Sequence, residues 1–173
     1  IIITDAVFRD ATVNWQETEK RIKTKVDFSK LTIVQGFIGG DLNGNTTTLG
    51  REGSDFTAGI FAYCLDAESL TIWKDVLGVL NADPKEFKEV QLLEHISYEE
   101  TIEMAFYGAS VIHPKTIKPI QNKKIPLIVR SFKNLNSPGT KVSEGVTLEP
   151  TIPCLIVKKN QVLVSISSLD FSF

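Results

Sequence analysis

Between Gly50 and Asp55 the chain reads GREGSD, placing Arg51, Glu52, Ser54 and Asp55 among two glycines at the mouth of an apolar segment. Two kinds of chemistry fit this knot of charge. Ser54 or Asp55 can cap a helix by accepting a hydrogen bond from a free backbone N–H, worth on the order of 1 kcal/mol. Capping accounts for one of the two and leaves Arg51 and Glu52 unexplained. The other reading is a ligand site, in which the positive end of the helix attracts an anion. Both readings stand on the residues alone. The segment is not a Walker loop, because no lysine follows its last glycine, and GFIGGD (36–41) is not the dinucleotide fingerprint. Asp75 lies just past an apolar run, where open α/β sheets bind ligands, or else it is a plain turn aspartate. Asp83-Pro84 is a turn signal. His95 and His113 lack the spacing of a metal pair, and His113 before Pro114 suits a helix cap. Trp73 and Tyr107 read as packing residues, and Glu99-Glu100 as first-turn charges that suit a helix dipole.

These residues need elements to hold them. Phe56, Ile60 and Cys64 fall on one helical row and Phe61 and Leu65 on the next, which predicts a helix from about Asp55 that packs on a sheet. Gly59 inside that helix costs about 1 kcal/mol relative to alanine, so a close backbone approach is expected there. Buried strands are expected at 31–35 (LTIVQ), 69–73 (SLTIW) and 125–129 (IPLIV). Helices are expected at 14–23 behind an Asn14 cap, at 98–106 with Gly108 ending it, and after His113-Pro114. Ile1-Ile2-Ile3 reads as the tail of a strand, and 162–166 as another strand. The alternation argues an α/β fold with a mostly parallel sheet. Segment 131–150, rich in Asn, Ser, Pro, Gly and Lys, reads as a boundary, and a strand pair around Lys159-Asn160 as the start of a second domain.

Composition excludes several classes. The 173 residues carry a formal charge of −2, which gives no basic field for nucleic acid, and the lysine pairs 123–124 and 158–159 read as solvated turns. No apolar run reaches the ~20 residues of a membrane span. Cys64 and Cys154 suggest buried thiols in a reducing compartment. The strand-like residues at both ends suggest a fragment.

Several segments together, IVQGFIGGD, TTTLGREGSDFTA, IWKDVLGVLNADPKEF, ISYEETIEMAFYGASVIHPKTIKP and IPLIVRSF…SPGT, resemble the aspartokinases in order and spacing, nearer the monofunctional type, over nearly all of residues 1–150. LIVKKNQVLVSISSLDF resembles the first strand of an ACT regulatory domain. The resemblance implies a three-layer αβα sandwich over 1–150 and a truncated ACT domain over 151–173. It implies transfer of the γ-phosphoryl group of MgATP to the side-chain carboxylate of L-aspartate, in the cytoplasm. It further implies Mg2+ carried by the nucleotide with no protein ligand set, a homodimer when full length, and lysine or threonine as effector at the ACT domains.

By resemblance, Arg51 pairs with a carboxylate of substrate aspartate, a task suited to a guanidinium that can make two parallel charge-assisted hydrogen bonds. Ser54 helps hold that geometry, and Asp55 organises an active-site lysine and the transferring phosphate. Trp73, Lys74 and Asp75 belong to the adenosine side, and Lys85 stands where the family commonly has an arginine near the phosphates. Glu52 replaces a frequent glycine, and Ser110 a frequent lysine. The Lys-x-Gly-Gly segment of the family is not among these residues, which implies that the fragment is inactive alone. The rival readings are another amino-acid kinase, such as acetylglutamate or uridylate kinase, and a non-catalytic amino-acid or nucleotide binding module.

Overall fold

The computed structural model describes residues 1–109, 111–145 and 151–165. It opens with Ile2 and Ile3 buried, Ile3 bridging Gly40 in parallel and Thr4 bridging Val13. Helix α1 (Trp15–Lys25) follows the Asn14 cap, whose side chain accepts from Glu17 N–H. A short antiparallel hairpin, β1 (Ile38–Gly40) and β2 (Thr46–Thr48), turns over Asp41. The Asp41 carboxylate accepts from the Asn45 side chain and from the Asn45 and Asn43 N–H groups, which holds its pKa below the ordinary value.

Helix α2 (Gly53–Cys64) leads to β3 (Leu70–Lys74), then β4 (His95–Ser97), α3 (Tyr98–Tyr107), α4 (Pro114–Asn122), β5 (Leu127–Ser131) and β6 (Thr140–Ser143). The second sheet runs β3-β5-β6-β4, with β3/β5 and β4/β6 parallel and β5/β6 antiparallel. It is therefore the mostly parallel α/β sheet that the alternation predicts. Leu127, Val129 and Val142 are fully buried against Ile117 and Ile120 of α4, forming the larger core. A smaller core joins Ile2, Ile22 and Leu49 to Phe56, Ile60 and Cys64 of α2. The predicted stripe of α2 thus serves both sides: one row faces α1, while Gly59 lets α4 approach so closely that an added Cβ would lie 3.0 Å from the Thr116 carbonyl.

Helix ends obey simple chemistry. Ser97 and Glu100 form a capping box on α3, Gly108 ends that helix at φ 118°, and His113 caps α4 by accepting from Lys115 N–H.

Several expectations are corrected. Residues 31–35 are not a buried strand: Leu31 and Ile33 are 92% and 88% exposed, and no strand pairs with this run among the described residues. An apolar run becomes a buried strand only where ladder partners exist on its flanks. The same holds for 162–165, where Val162, Leu163 and Val164 are exposed and unpaired; Ile166 lies outside the described residues. Among the described residues the strand pair expected around Lys159-Asn160 is likewise not formed, and the one bridge there in 151–165 is Leu155 with Ala82. Segment 131–150 is not simply a boundary, since β6 lies inside it and its Val142 and Thr140 are fully buried in the sheet. Cys64 is buried, but Cys154 is exposed. Lys123 is no solvated turn residue, because its ammonium meets Asp66 at 2.5 Å and lies 4.2 Å from the centre of the Tyr63 ring.

Candidate active site

The mouth of α2 is built by its neighbours. Gly50 adopts φ 77°, where a Cβ would collide with the Asp10 carboxylate, and Glu52 takes φ 54° before the helix opens at Gly53. The helix therefore begins two residues earlier than its stripe suggests. Ser54 and Asp55 sit inside the first turn, and Glu52, at the cap position, makes no side-chain cap. Of the two readings of the charged knot, the cap is excluded.

A loop closes one side of this turn. Phe37 donates its N–H to Thr57 Oγ1 at 2.9 Å, and that hydroxyl donates to the Gly53 carbonyl at 2.9 Å. A Cβ at Gly53 would meet the Phe37 ring at 2.7 Å, and one at Gly36 would meet Ser54 Cα at 3.2 Å. These two glycines are places where backbone and side chain must touch, which fixes the helix start against the loop. Arg51 and Ser54 are exposed, and neither side chain has a hydrogen bond or ion pair among the described residues.

Opposite the turn stands the carboxyl end of β3. Lys74 Nζ lies 2.8 Å from Asp55 Oδ2, and the two side chains are only 22% and 20% exposed. Asp55 Oδ2 is buried, and the Lys74 ammonium is the group that neutralises it. Glu52 Oε2 is likewise buried, and it is unpartnered. The parallel register sets Trp73 beside Arg130 of β5. The Arg130 guanidinium lies 5.0 Å from the centre of the Trp73 ring and donates to the carbonyls of Leu135 at 2.7 Å and Ser137 at 3.2 Å. Asp75 is exposed and has Lys133 at 3.9 Å. Phe132 N–H donates to the Lys74 carbonyl, tying the two strand ends together.

The structure thus brings Asp55, Lys74, Trp73 and Asp75 to one region, with Arg51 and Ser54 on the same turn as Asp55. Lys85 is not tied into that group. It sits in a turn where its N–H donates to Asp83, and its exposed side chain has no ion pair among the described residues. Ser110 lies outside the described residues. Arg130 carried no role in the sequence reading; only the strand register reveals that it flanks Trp73. Lys115, which pairs with Asp10 across the top of α4, was also missed. Among the described residues, no three His, Cys, Asp or Glu side chains converge as a metal site. No helix of the described residues is long and apolar enough to cross a membrane.

Comparison with known proteins gives this geometry a context. Residues 1–131 match the Amino acid kinase family. Lysine-sensitive aspartokinase 3 of Escherichia coli is 40% identical over 140 residues, covering 81% of this chain and 31% of that protein. A bifunctional aspartokinase/homoserine dehydrogenase of Buchnera aphidicola is 40% identical over 138 residues, covering 79% of this chain and 17% of its own length. In structure, E. coli aspartokinase III in complex with aspartate and ADP superposes with a TM-score of 0.81 at 35% identity, covering 85% of this chain and 34% of that one. This chain therefore spans no more than about a third of these relatives. The match over residues 1–131 and the superposition on E. coli aspartokinase III place the chain in the amino acid kinase family, among relatives that are aspartokinases.

Proposed function

We propose that this chain carries part of an aspartokinase site, in which ATP donates its γ-phosphoryl group to the side-chain carboxylate of L-aspartate. A carboxylate oxygen attacks the γ-phosphorus, the bond to the bridging oxygen breaks, and ADP leaves with 4-phospho-L-aspartate as product. The substrate carboxylate is already unprotonated, so positioning and charge stabilisation carry the catalysis. The observation that carries the reading is the half-buried Asp55–Lys74 pair at 2.8 Å, where the first turn of α2 faces the carboxyl end of a parallel strand.

Within this reading, Arg51, exposed and without a partner among the described residues, grips a carboxylate of aspartate. Ser54, exposed beside it, offers a hydroxyl to the same substrate. Asp55 orders the charges around the transferring group. Trp73, Lys74 and Asp75 hold the nucleotide, and Lys85, in the turn after Asp83, is assigned to its phosphates by the resemblance alone. Mg2+ comes with the nucleotide, where it would neutralise phosphate charge. A Mg2+ held mainly by phosphates needs only one or two protein carboxylates, and among the described residues no three His, Cys, Asp or Glu side chains converge to bind it independently of the nucleotide.

Residues 1–150 form the catalytic part and 151–173 the beginning of a regulatory ACT domain. A lysine or threonine effector and a homodimer belong to the complete protein. E. coli aspartokinase III has been crystallised with lysine and aspartate, which supports lysine as the effector. These 173 residues contain no Lys-x-Gly-Gly segment and by themselves are expected to bind ligands without turning them over.

Thermal denaturation in the presence of ligands tests the reading. MgATP with L-aspartate stabilises the fold, by about 2.7 kcal/mol at a hundredfold excess over Kd, while N-acetylglutamate and UMP do not. Stabilisation by UMP or N-acetylglutamate in place of aspartate would assign a different acceptor.

A further inference from the structure

A lysine is out of place at the start of α4. Lys115 follows Pro114 in the first turn, where free backbone N–H groups and the helix dipole favour negative charge over positive. Its ammonium nonetheless pairs with the Asp10 carboxylate, far away in the chain, with the centre of the Phe56 ring 6.0 Å away. Both side chains are partly exposed, at 37% and 65%, and an exposed pair of this kind adds little to stability. A lysine that opposes its own helix for so small a gain points to a task beyond the fold.

That task lies on the other side of Asp10. Thr48 N–H donates to the Phe8 carbonyl and Ala11 N–H to the Thr48 carbonyl, both at 3.0 Å, so the loop that carries Asp10 is fastened to the end of β2. The carboxylate is thereby laid on Gly50, at φ 77°, where an added Cβ would come within 3.0 Å of Asp10 Cγ. Gly50 opens a turn in which its carbonyl accepts from Gly53 N–H at 3.1 Å, and Arg51 is the first residue inside that turn. The far end of the turn is fixed at Gly53, where a Cβ would meet Phe37 and Leu49. Asp10 supplies the matching contact at the near end, and Lys115 holds its carboxylate there.

We propose that Asp10 is a positioning residue for Arg51, pressed on Gly50 and held there by Lys115 of α4. The pair fixes the turn before substrate arrives, so that less ordering is left to be done on binding. This rests on the reading of Arg51 as the grip on L-aspartate and adds two residues that act through it.

The test is calorimetric titration of ADP into the chain, and of L-aspartate into the ADP-saturated chain. The native protein is compared with Asp10→Ala, Lys115→Met, Lys115→Arg and the double variant of Asp10→Ala with Lys115→Met. Asp10→Ala and Lys115→Met are each expected to weaken L-aspartate about three- to tenfold and to leave ADP within about twofold. The double variant is expected to be no weaker than Asp10→Ala, because both changes break one contact, while Lys115→Arg keeps the affinity within about twofold of native. Melting curves are expected to coincide, since an exposed pair adds little stability. Native affinity for aspartate in Asp10→Ala, or losses that multiply in the double variant, overturns the assignment and leaves the reading of Arg51 intact. Equal loss of aspartate and ADP, or a melting temperature that falls with the affinity, also overturns it, since the pair then serves the fold. A native chain that binds ADP and no L-aspartate overturns the reading of Arg51 and this inference with it.

Discussion

At the scale of single residues, buried polar groups decide more than exposed charges. Tyr98 is almost wholly buried, and its hydroxyl donates to the Ile125 carbonyl at 2.6 Å. Removing it in Tyr98→Phe leaves a buried carbonyl unpaired and is expected to cost about 1–3 kcal/mol, read from denaturant unfolding. Burial, with the charges of Glu144 and Glu99, pushes the Tyr98 pKa up to about 12 from 10.0. An unfolded chain therefore releases this proton first as the pH rises above 10. Stability from Tyr98 is complete below that pH and falls between about 10 and 12. The alkaline loss should be smaller in Tyr98→Phe than in the native chain, and equal losses in both would contradict the assignment. The same logic governs Cys64, whose burial raises its thiol to about 11.

At the scale of elements, what could be read in the sequence is what one element carries by itself. The stripe of α2, the Asn14 and His113 caps and the Glu100 first-turn charge all appear where the residue pattern places them, because capping and amphipathicity are local. Gly59 also announced its close contact. Replacing it with valine pushes a branched side chain towards the Thr116 carbonyl and is expected to cost about 1–3 kcal/mol in thermal or denaturant unfolding; no loss would mean that α2 and α4 can separate freely. What depends on a partner strand was illegible. LTIVQ has the composition of a buried strand and no ladder to join, whereas the polar-flanked β6 is buried because β5 and β4 lie on either side of it. The site shows the same divide. The GREGSD knot stood out in sequence, but its start at Gly53, the pairing of Asp55 with Lys74 and the packing of Arg130 on Trp73 all depend on strand register and helix phase.

At the scale of the whole molecule, α2 joins two cores: Phe56, Ile60 and Cys64 belong to the smaller, and Ala62 to the larger, which lies on the four-stranded sheet. The same helix starts at the charged site, so the packing that stabilises the molecule also fixes the position of Asp55. The end of the exposed apolar run at 31–35 lies along this helix, where Val34 and Gln35 line a cleft with Ile2 and Phe61. Unpaired, extended apolar chain is a template for aggregation. Ile33→Lys is expected to leave the melting temperature nearly unchanged, within about 0.5 kcal/mol in stability, while lowering the light scattering of concentrated samples. A large loss of stability in that variant would show that Ile33 is packed in solution.

The central claim is that the turn before α2 binds the amino-acid substrate while the end of β3 binds the nucleotide. Calorimetric titration of L-aspartate into the chain saturated with ADP tests it most directly, alongside the same titration of Arg51→Ala. The account predicts saturable binding of L-aspartate, at least about tenfold weaker in Arg51→Ala because a bidentate charge-assisted contact is lost, and no comparable binding of L-glutamate. Equal affinity for aspartate in the native chain and in Arg51→Ala, or no binding of aspartate at all, would contradict it.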